Sequence, residues 1–129
     1  DCTDNLAARQ LINRVCYAEG APFVSAAAIG WEGQLVMFDF AHCRGLCFNC
    51  IINHSSAEPM MNCANSGVVG PVLGVMGSMQ AITVMRTLLG VALQHGEVQR
   101  YDGKRGQWCS LQGSQDKECS VCSLVEFKG

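Results

Sequence analysis

Apolar residues recur three and four apart at Ala7, Ala8, Leu11, Ile12, Val15 and Cys16, with Arg9, Gln10, Asn13 and Arg14 on the opposite side. That period predicts an amphipathic helix whose apolar stripe faces the core. Asp4 or Asn5 can cap its start by accepting a first-turn N–H, and Gly20 with Pro22 ends it. Residues 1–5 have no period of their own and read as the end of a buried strand entering that helix. Small and apolar residues over 23–29 predict a strand in a packed sheet, and 34–38 predicts the next, with Gly30 and Gly33 between them. Two further strands are expected, one over 97–101 flanked by Gly96 and Gly103 and one over 107–111.

Between these segments the pattern changes twice. Residues 42–65 have no period and read as a long irregular excursion, a feature that in compact domains is usually functional or mobile. Residues 67–90 then turn apolar, long enough for the ~20 residues of a membrane span, and Gly70 and Gly74 form a G-x-x-x-G. Gln80, Thr83 and Arg86, and the lack of Trp or Tyr at either end, favour instead a buried or subunit-interface helix. Pro71 suits its first turn, and its glycines would admit another backbone closely. The order of helix, strands, loop, helix and strands fits an α/β half-domain with a mixed sheet.

Composition narrows the function class. The 129 residues are 49% hydrophobic with a net charge of −2, which excludes a disordered chain and gives no basic stripe for nucleic acid or an anionic membrane. Nine cysteines are an odd number, and the sequence has no signal-peptide pattern, so a reducing, cytoplasmic compartment with metal-binding and reactive thiols is expected. The first residue is Asp1, and an upstream segment is expected to be missing.

Two Cys-x-x-Cys pairs stand out, Cys47 with Cys50 and Cys119 with Cys122. Thiolates at this spacing can share one tetrahedral zinc, and two such pairs would complete a closed, structural site of four cysteines. A redox pair and plain buried thiols remain alternatives. Both pairs are expected on turns. Cys43 reads as a surface or half-buried thiol, and Cys2, Cys16 and Cys109 as core packing. Cys63 lies just ahead of the long apolar helix, where the dipole favours thiolate, or is an ordinary loop cysteine. His42, His54 and His95 share no ligand-like spacing and read as surface histidines.

In order along the chain, these motifs resemble the C-terminal half of the ThiF/MoeB/HesA adenylyltransferases, relatives of the ubiquitin-activating enzymes. Asp1-Cys2-Thr3-Asp4-Asn5 with Arg9 matches D-C-T-D-N-x-x-x-R. Pro22 to Ala28 and Glu32-Gly33-Gln34-Leu35 match the two strand motifs, and Cys47-Phe48-Asn49-Cys50 matches C-Y-R-C. The most specific match runs from Cys63 through Gly77. Tyr101-Asp102-Gly103-Lys104 with Gln107-Trp108, then Cys119-Ser120-Val121-Cys122, lean towards ThiF.

The resemblance implies a Rossmann-like fold whose complete enzyme uses ATP and Mg2+ to adenylate the C-terminal glycine of a ubiquitin-like sulfur carrier. Sulfur then passes to thiamin thiazole or to molybdopterin. It implies that Asp4, with Asn5 beside it, serves the nucleotide and Mg2+, a hard cation that prefers oxygen ligands. It implies that Cys63 takes the carrier covalently through an acyl-disulfide, that Cys47, Cys50, Cys119 and Cys122 hold a structural zinc, and that the long helix enters a homodimer.

Asn49 replaces the motif's arginine, and Cys43 and Cys109 are additions. The family's Gly-rich phosphate loop lies upstream of D-C-T-D-N, and residues 1–129 contain no such loop leading into a helix. The chain is therefore expected to be a partial domain, inactive alone, that binds neither nucleic acid nor membrane. The alternatives are a non-enzymatic, zinc-stabilised protein-binding module and a MoeB-like activator of the molybdopterin carrier.

Overall fold

The computed structural model describes residues 1–54 and 67–123. The elements are α1 (Leu6–Glu19), β1 (Phe23–Ile29), β2 (Glu32–Phe38), α2 (Phe48–His54), α3 (Gly70–Leu88), β3 (Glu97–Asp102) and β4 (Gln107–Gln112). The strands form one sheet in the order β1-β2-β3-β4, every neighbour antiparallel. The α/β class is as expected. Among the described residues the one parallel contact is an isolated bridge between Gly30 and Val68, so the mixed character of the sheet rests on that bridge alone. Residues 1–5 form no strand; Asp1 alone pairs with β1, its backbone nitrogen donating to the Val24 carbonyl at 2.7 Å.

Sheet alternation sends side chains to two cores. Val24, Ala26, Ala28, Leu35 and Met37 face α3 and meet Val72 and Met76. Phe23, Val36, Phe38 and Val98 face the other way, towards Tyr17, Phe40, Phe48 and the four buried cysteines. Because both faces are covered, β1 and β2 read as nearly continuous apolar runs. α1 begins with Asn5, whose side chain accepts from the Ala8 amide at 2.8 Å, and stops at Gly20, whose φ of 66° suits glycine. α3 starts on Gly70 and Pro71 as anticipated.

Two elements depart from expectation. α2 lies within the segment expected to be irregular; seven residues are too short for a period to register. α1 is rotated from its predicted orientation: Leu11 and Val15 are 55% and 53% exposed, whereas Arg9, Asn13 and Tyr17 are buried. The polar residues go inside because each has a partner there. Arg9 donates to the Ser25 hydroxyl at 2.9 Å, bonds the Thr3 carbonyl and stands 3.7 Å from the buried Asp1 carboxylate. From the opposite face, the buried Gln80 of α3 donates to the Asp1 carbonyl at 2.7 Å. Gly70, Gly74 and Gly77, expected to admit a close backbone, have nothing within 4 Å of a Cβ inside this chain.

Candidate metal centre and the surrounding site

Cys47 immediately precedes α2, and Cys50 sits in its first turn with its N–H donating to the Cys47 carbonyl at 3.1 Å. The first pair thus lies on a helix start and not on the turn expected. The second pair lies on turns, the Cys119 N–H bonding the Asp116 carbonyl at 3.1 Å. Long-range bonds hold the first pair in place. Tyr17 donates its hydroxyl to the Arg44 carbonyl at 2.7 Å, and Arg44 returns to the Tyr17 carbonyl. His95 accepts the Asp39 N–H at 2.9 Å and bonds the Leu46 carbonyl at 3.0 Å. Gly96, at a φ of +72°, leaves room for Leu46, whose Cδ2 would lie 2.1 Å from a Cβ there.

The four sulfurs converge. Cys47, Cys50, Cys119 and Cys122 are all buried, with ligand atoms within 4.8 Å of one another. Individual separations are 3.2 Å for Cys50–Cys122, 3.6 Å for Cys47–Cys119 and 4.0 Å for Cys47–Cys50. Four thiolates each about 2.3 Å from one tetrahedral ion stand about 3.8 Å apart, so the set fits zinc. A site closed by four thiolates leaves no position for water and is structural.

Burial pushes the Cys47 thiol up to about 12 and raises that of Cys122. Burial acts on Cys119 in the same direction. There, hydrogen bonds from the Cys122 and Val121 backbone, joined by those from the Cys122 and Cys47 thiols, outweigh it and bring the thiol below its ordinary value. The four sulfurs thus differ in how readily each gives up its proton, and a cation bound among them would displace those protons.

The remaining sequence candidates fall elsewhere. Asp4 is exposed one position before the Asn5 cap of α1. Cys63 lies outside the described residues. Cys43 is exposed as expected, but so are Cys2 and Cys109, which were expected in the core. Cys2 is exposed because the chain before α1 runs along the surface, where its thiol meets the Gln80 carboxamide oxygen at 3.1 Å. Cys109 is exposed because all of β4 is. His95 is not a surface histidine: it is half-buried and packs edge-on against Phe38 and Phe40. His42 is exposed, and the His54 side chain is outside the described set. The inward partners of Arg9, Asn13, Gln80 and His95 escaped the sequence reading because a polar residue's burial depends on groups distant in the chain.

Residues 1–121 match the family model described as ThiF family. The sulfur carrier protein ThiS adenylyltransferase of Escherichia coli (strain K12) is 43% identical over 122 residues, spanning 95% of this chain and 48% of that protein. The molybdopterin-synthase adenylyltransferase of Escherichia coli (strain K12) is 34% identical over 95% of this chain and 49% of its own length. Xenopus laevis adenylyltransferase and sulfurtransferase MOCS3 is 35% identical, with 95% and 28% covered. The chain thus spans half or less of these relatives. Among solved structures, E. coli MccB crystallised with ATP superposes with a TM-score of 0.68 at 15% identity, covering 95% of this chain and 38% of that one. MccB in complex with N-formylated MccA gives 0.71 at 13% identity, covering 94% and 39%. These two likenesses establish the fold. The match along 1–121 and the identity to curated relatives establish the rest: the chain belongs to the ThiF family.

Proposed function

We propose that these residues are the C-terminal part of an adenylyltransferase that activates the C-terminal glycine of a ubiquitin-like sulfur carrier with ATP, for sulfur transfer in thiamin thiazole synthesis. The observation that carries this reading is the 43% identity to ThiS adenylyltransferase across 95% of the chain. The molybdopterin-synthase adenylyltransferase stands lower, at 34%, and the MOCS3 relatives at 34–37%. In this reading 1–129 is a partial domain and the nucleotide's phosphates are held by residues outside it.

Each residue then has a task. Asp4, exposed just before the Asn5 cap of α1, would supply a carboxylate oxygen to Mg2+, with Asn5 next to it. Cys63 takes the carrier covalently. Cys47, Cys50, Cys119 and Cys122 hold one zinc, which ties α2 to the C-terminal tail. α3 leaves Leu73, Ile82, Met85 and Leu88 exposed, a surface suited to a second copy in a homodimer. The proposed setting is the cytoplasm, and no helix among the described residues is long and apolar enough to cross a membrane.

The test is ATP–pyrophosphate exchange by the full-length protein with a ThiS-type carrier, a MoaD-type carrier, and each lacking its terminal glycine. Exchange that needs the ThiS-type carrier and its glycine is expected, and residues 1–129 alone should give none. A preference for the MoaD-type carrier would move the protein to molybdopterin synthesis. Carrier binding without exchange would make it a binding module.

A further inference from the structure

Asn13 is polar, central in α1 and 0% exposed. Its carboxamide reaches across to the first cysteine pair. The Phe48 N–H donates to Asn13 Oδ1 at 3.1 Å, and Asn13 Nδ2 donates to Asn49 Oδ1 at 3.3 Å. The backbone donor at Phe48 fixes which end of the carboxamide is oxygen, so the NH2 end must face Asn49.

These contacts have a local cause. Phe48 is the first residue of α2, and the first N–H groups of a helix have no partner within it. Cys47, in the capping position, points its sulfur into the cysteine cluster. Asn13 supplies the missing acceptor from another helix and so fixes the orientation of the turn that carries Cys47 and Cys50.

We propose that Asn13 is a positioning residue for the four-cysteine site: it caps α2 from α1 and holds Asn49 between the two cysteines, preorganising the first Cys-x-x-Cys to receive the metal. This rests on reading the four cysteines as a metal site. Outer-shell groups that hold ligands and hydrogen-bond their donor atoms change metal affinity by about 10- to 100-fold. Asn49, where the family motif has arginine, is the accessory partner.

The experiment is cobalt(II) titration of the full-length apoprotein, with zinc affinity read by competition against a chelator. Thiolate-to-cobalt charge-transfer absorption reports the number and electronic state of the sulfurs. Asn13→Asp keeps an acceptor for Phe48 but sets a charged oxygen against Asn49 Oδ1, beside the cysteine turn. It is expected to shift the charge-transfer band and weaken both metals by about 10- to 100-fold. Asn49→Ala is expected to weaken them less, in the same direction, and decides the matter if Asn13→Asp does not fold. Val72→Ala, in the core on the other sheet face, should lower the melting temperature without moving band or affinity. Unchanged spectra and affinities in both asparagine variants would overturn the proposal, as would an equal loss in Val72→Ala. A wild-type protein without a four-thiolate spectrum would instead remove the metal site itself.

Discussion

The sulfurs of Cys50 and Cys122 lie 3.2 Å apart although 72 positions separate them along the chain. One belongs to the first turn of α2 and the other to the tail beyond β4, so the contact joins two short segments with little apolar core of their own. A structural zinc contributes on the order of 10 kcal/mol at neutral pH, comparable with the whole ~5–15 kcal/mol stability of a domain. Chelation should therefore lower the melting temperature and expose the tail to protease, and added zinc should restore both. In Cys122→Ser the chelator should have little further effect. A melting curve indifferent to chelator in the zinc-loaded wild type would contradict the structural role.

Arg9 offers a separate test of stability, away from the cysteines. Its guanidinium is buried beside the Asp1 carboxylate and the Ser25 hydroxyl. Arg9→Met would strand a buried carboxylate, at a cost of about 3–5 kcal/mol. Arg14→Met, on the exposed side of α1, should change stability by less than about 0.5 kcal/mol. Denaturant midpoints read both, and equal effects would show that the buried network contributes nothing special.

His95 predicts an acid-side loss of stability. Burial lowers its pKa from 6.5, against the smaller opposing influences of the Leu46 carbonyl and Asp39. Its Nδ1 accepts the Asp39 N–H, so the folded ring is neutral. Below 6.5 the unfolded chain takes up a proton that the folded chain resists, so the histidine's contribution is intact above 6.5 and is lost as pH falls through the lowered folded value. NMR titration of the His95 ring should give a midpoint below 6.5, and one at or above it would contradict the packing. In zinc-saturated protein, His95→Gln should flatten the dependence of the denaturant midpoint between about pH 7.5 and pH 5.5, a window of about one unit either side of the ordinary histidine value.

Gly103 and Gly74 should respond in opposite ways to alanine. A Cβ at Gly103 would stand 2.8 Å from the Trp31 carbonyl oxygen and 2.8 Å from a Val72 methyl, and the carbonyl belongs to the backbone. Overpacking of this kind costs about 1–3 kcal/mol. A Cβ at Gly74 meets nothing within 4 Å, and alanine within a helix gains about 1 kcal/mol over glycine. If α3 forms the homodimer, Gly74→Ala should also shift the protein towards monomer in sedimentation. An unchanged dimer would place the interface elsewhere.

Strong local signals made much of the fold legible in the sequence. β1 and β2 were readable because both faces are buried and their apolar runs are continuous. α3 was readable from its length and Pro71, and α1 from its period and its cap. The cysteine pairs were visible as spacing, while their meeting depends on a chain path that spacing does not encode. What escaped was long-range. α1 turns Leu11 and Val15 outward because Arg9 and Asn13 find partners at Asp1, Ser25, Phe48 and Asn49. Helical periodicity cannot register a hydrogen bond made 35 positions away. α2 is too short to impose a period, and its cap comes from another helix.

The most direct test of the cysteine assignment is the metal content and coordination of the full-length protein, purified without added metal, by elemental analysis and zinc K-edge absorption. The geometry predicts one zinc per chain in a shell of four sulfurs at about 2.3 Å, lost in Cys122→Ser. Protein without zinc, or zinc in a shell of nitrogen and oxygen, would contradict it.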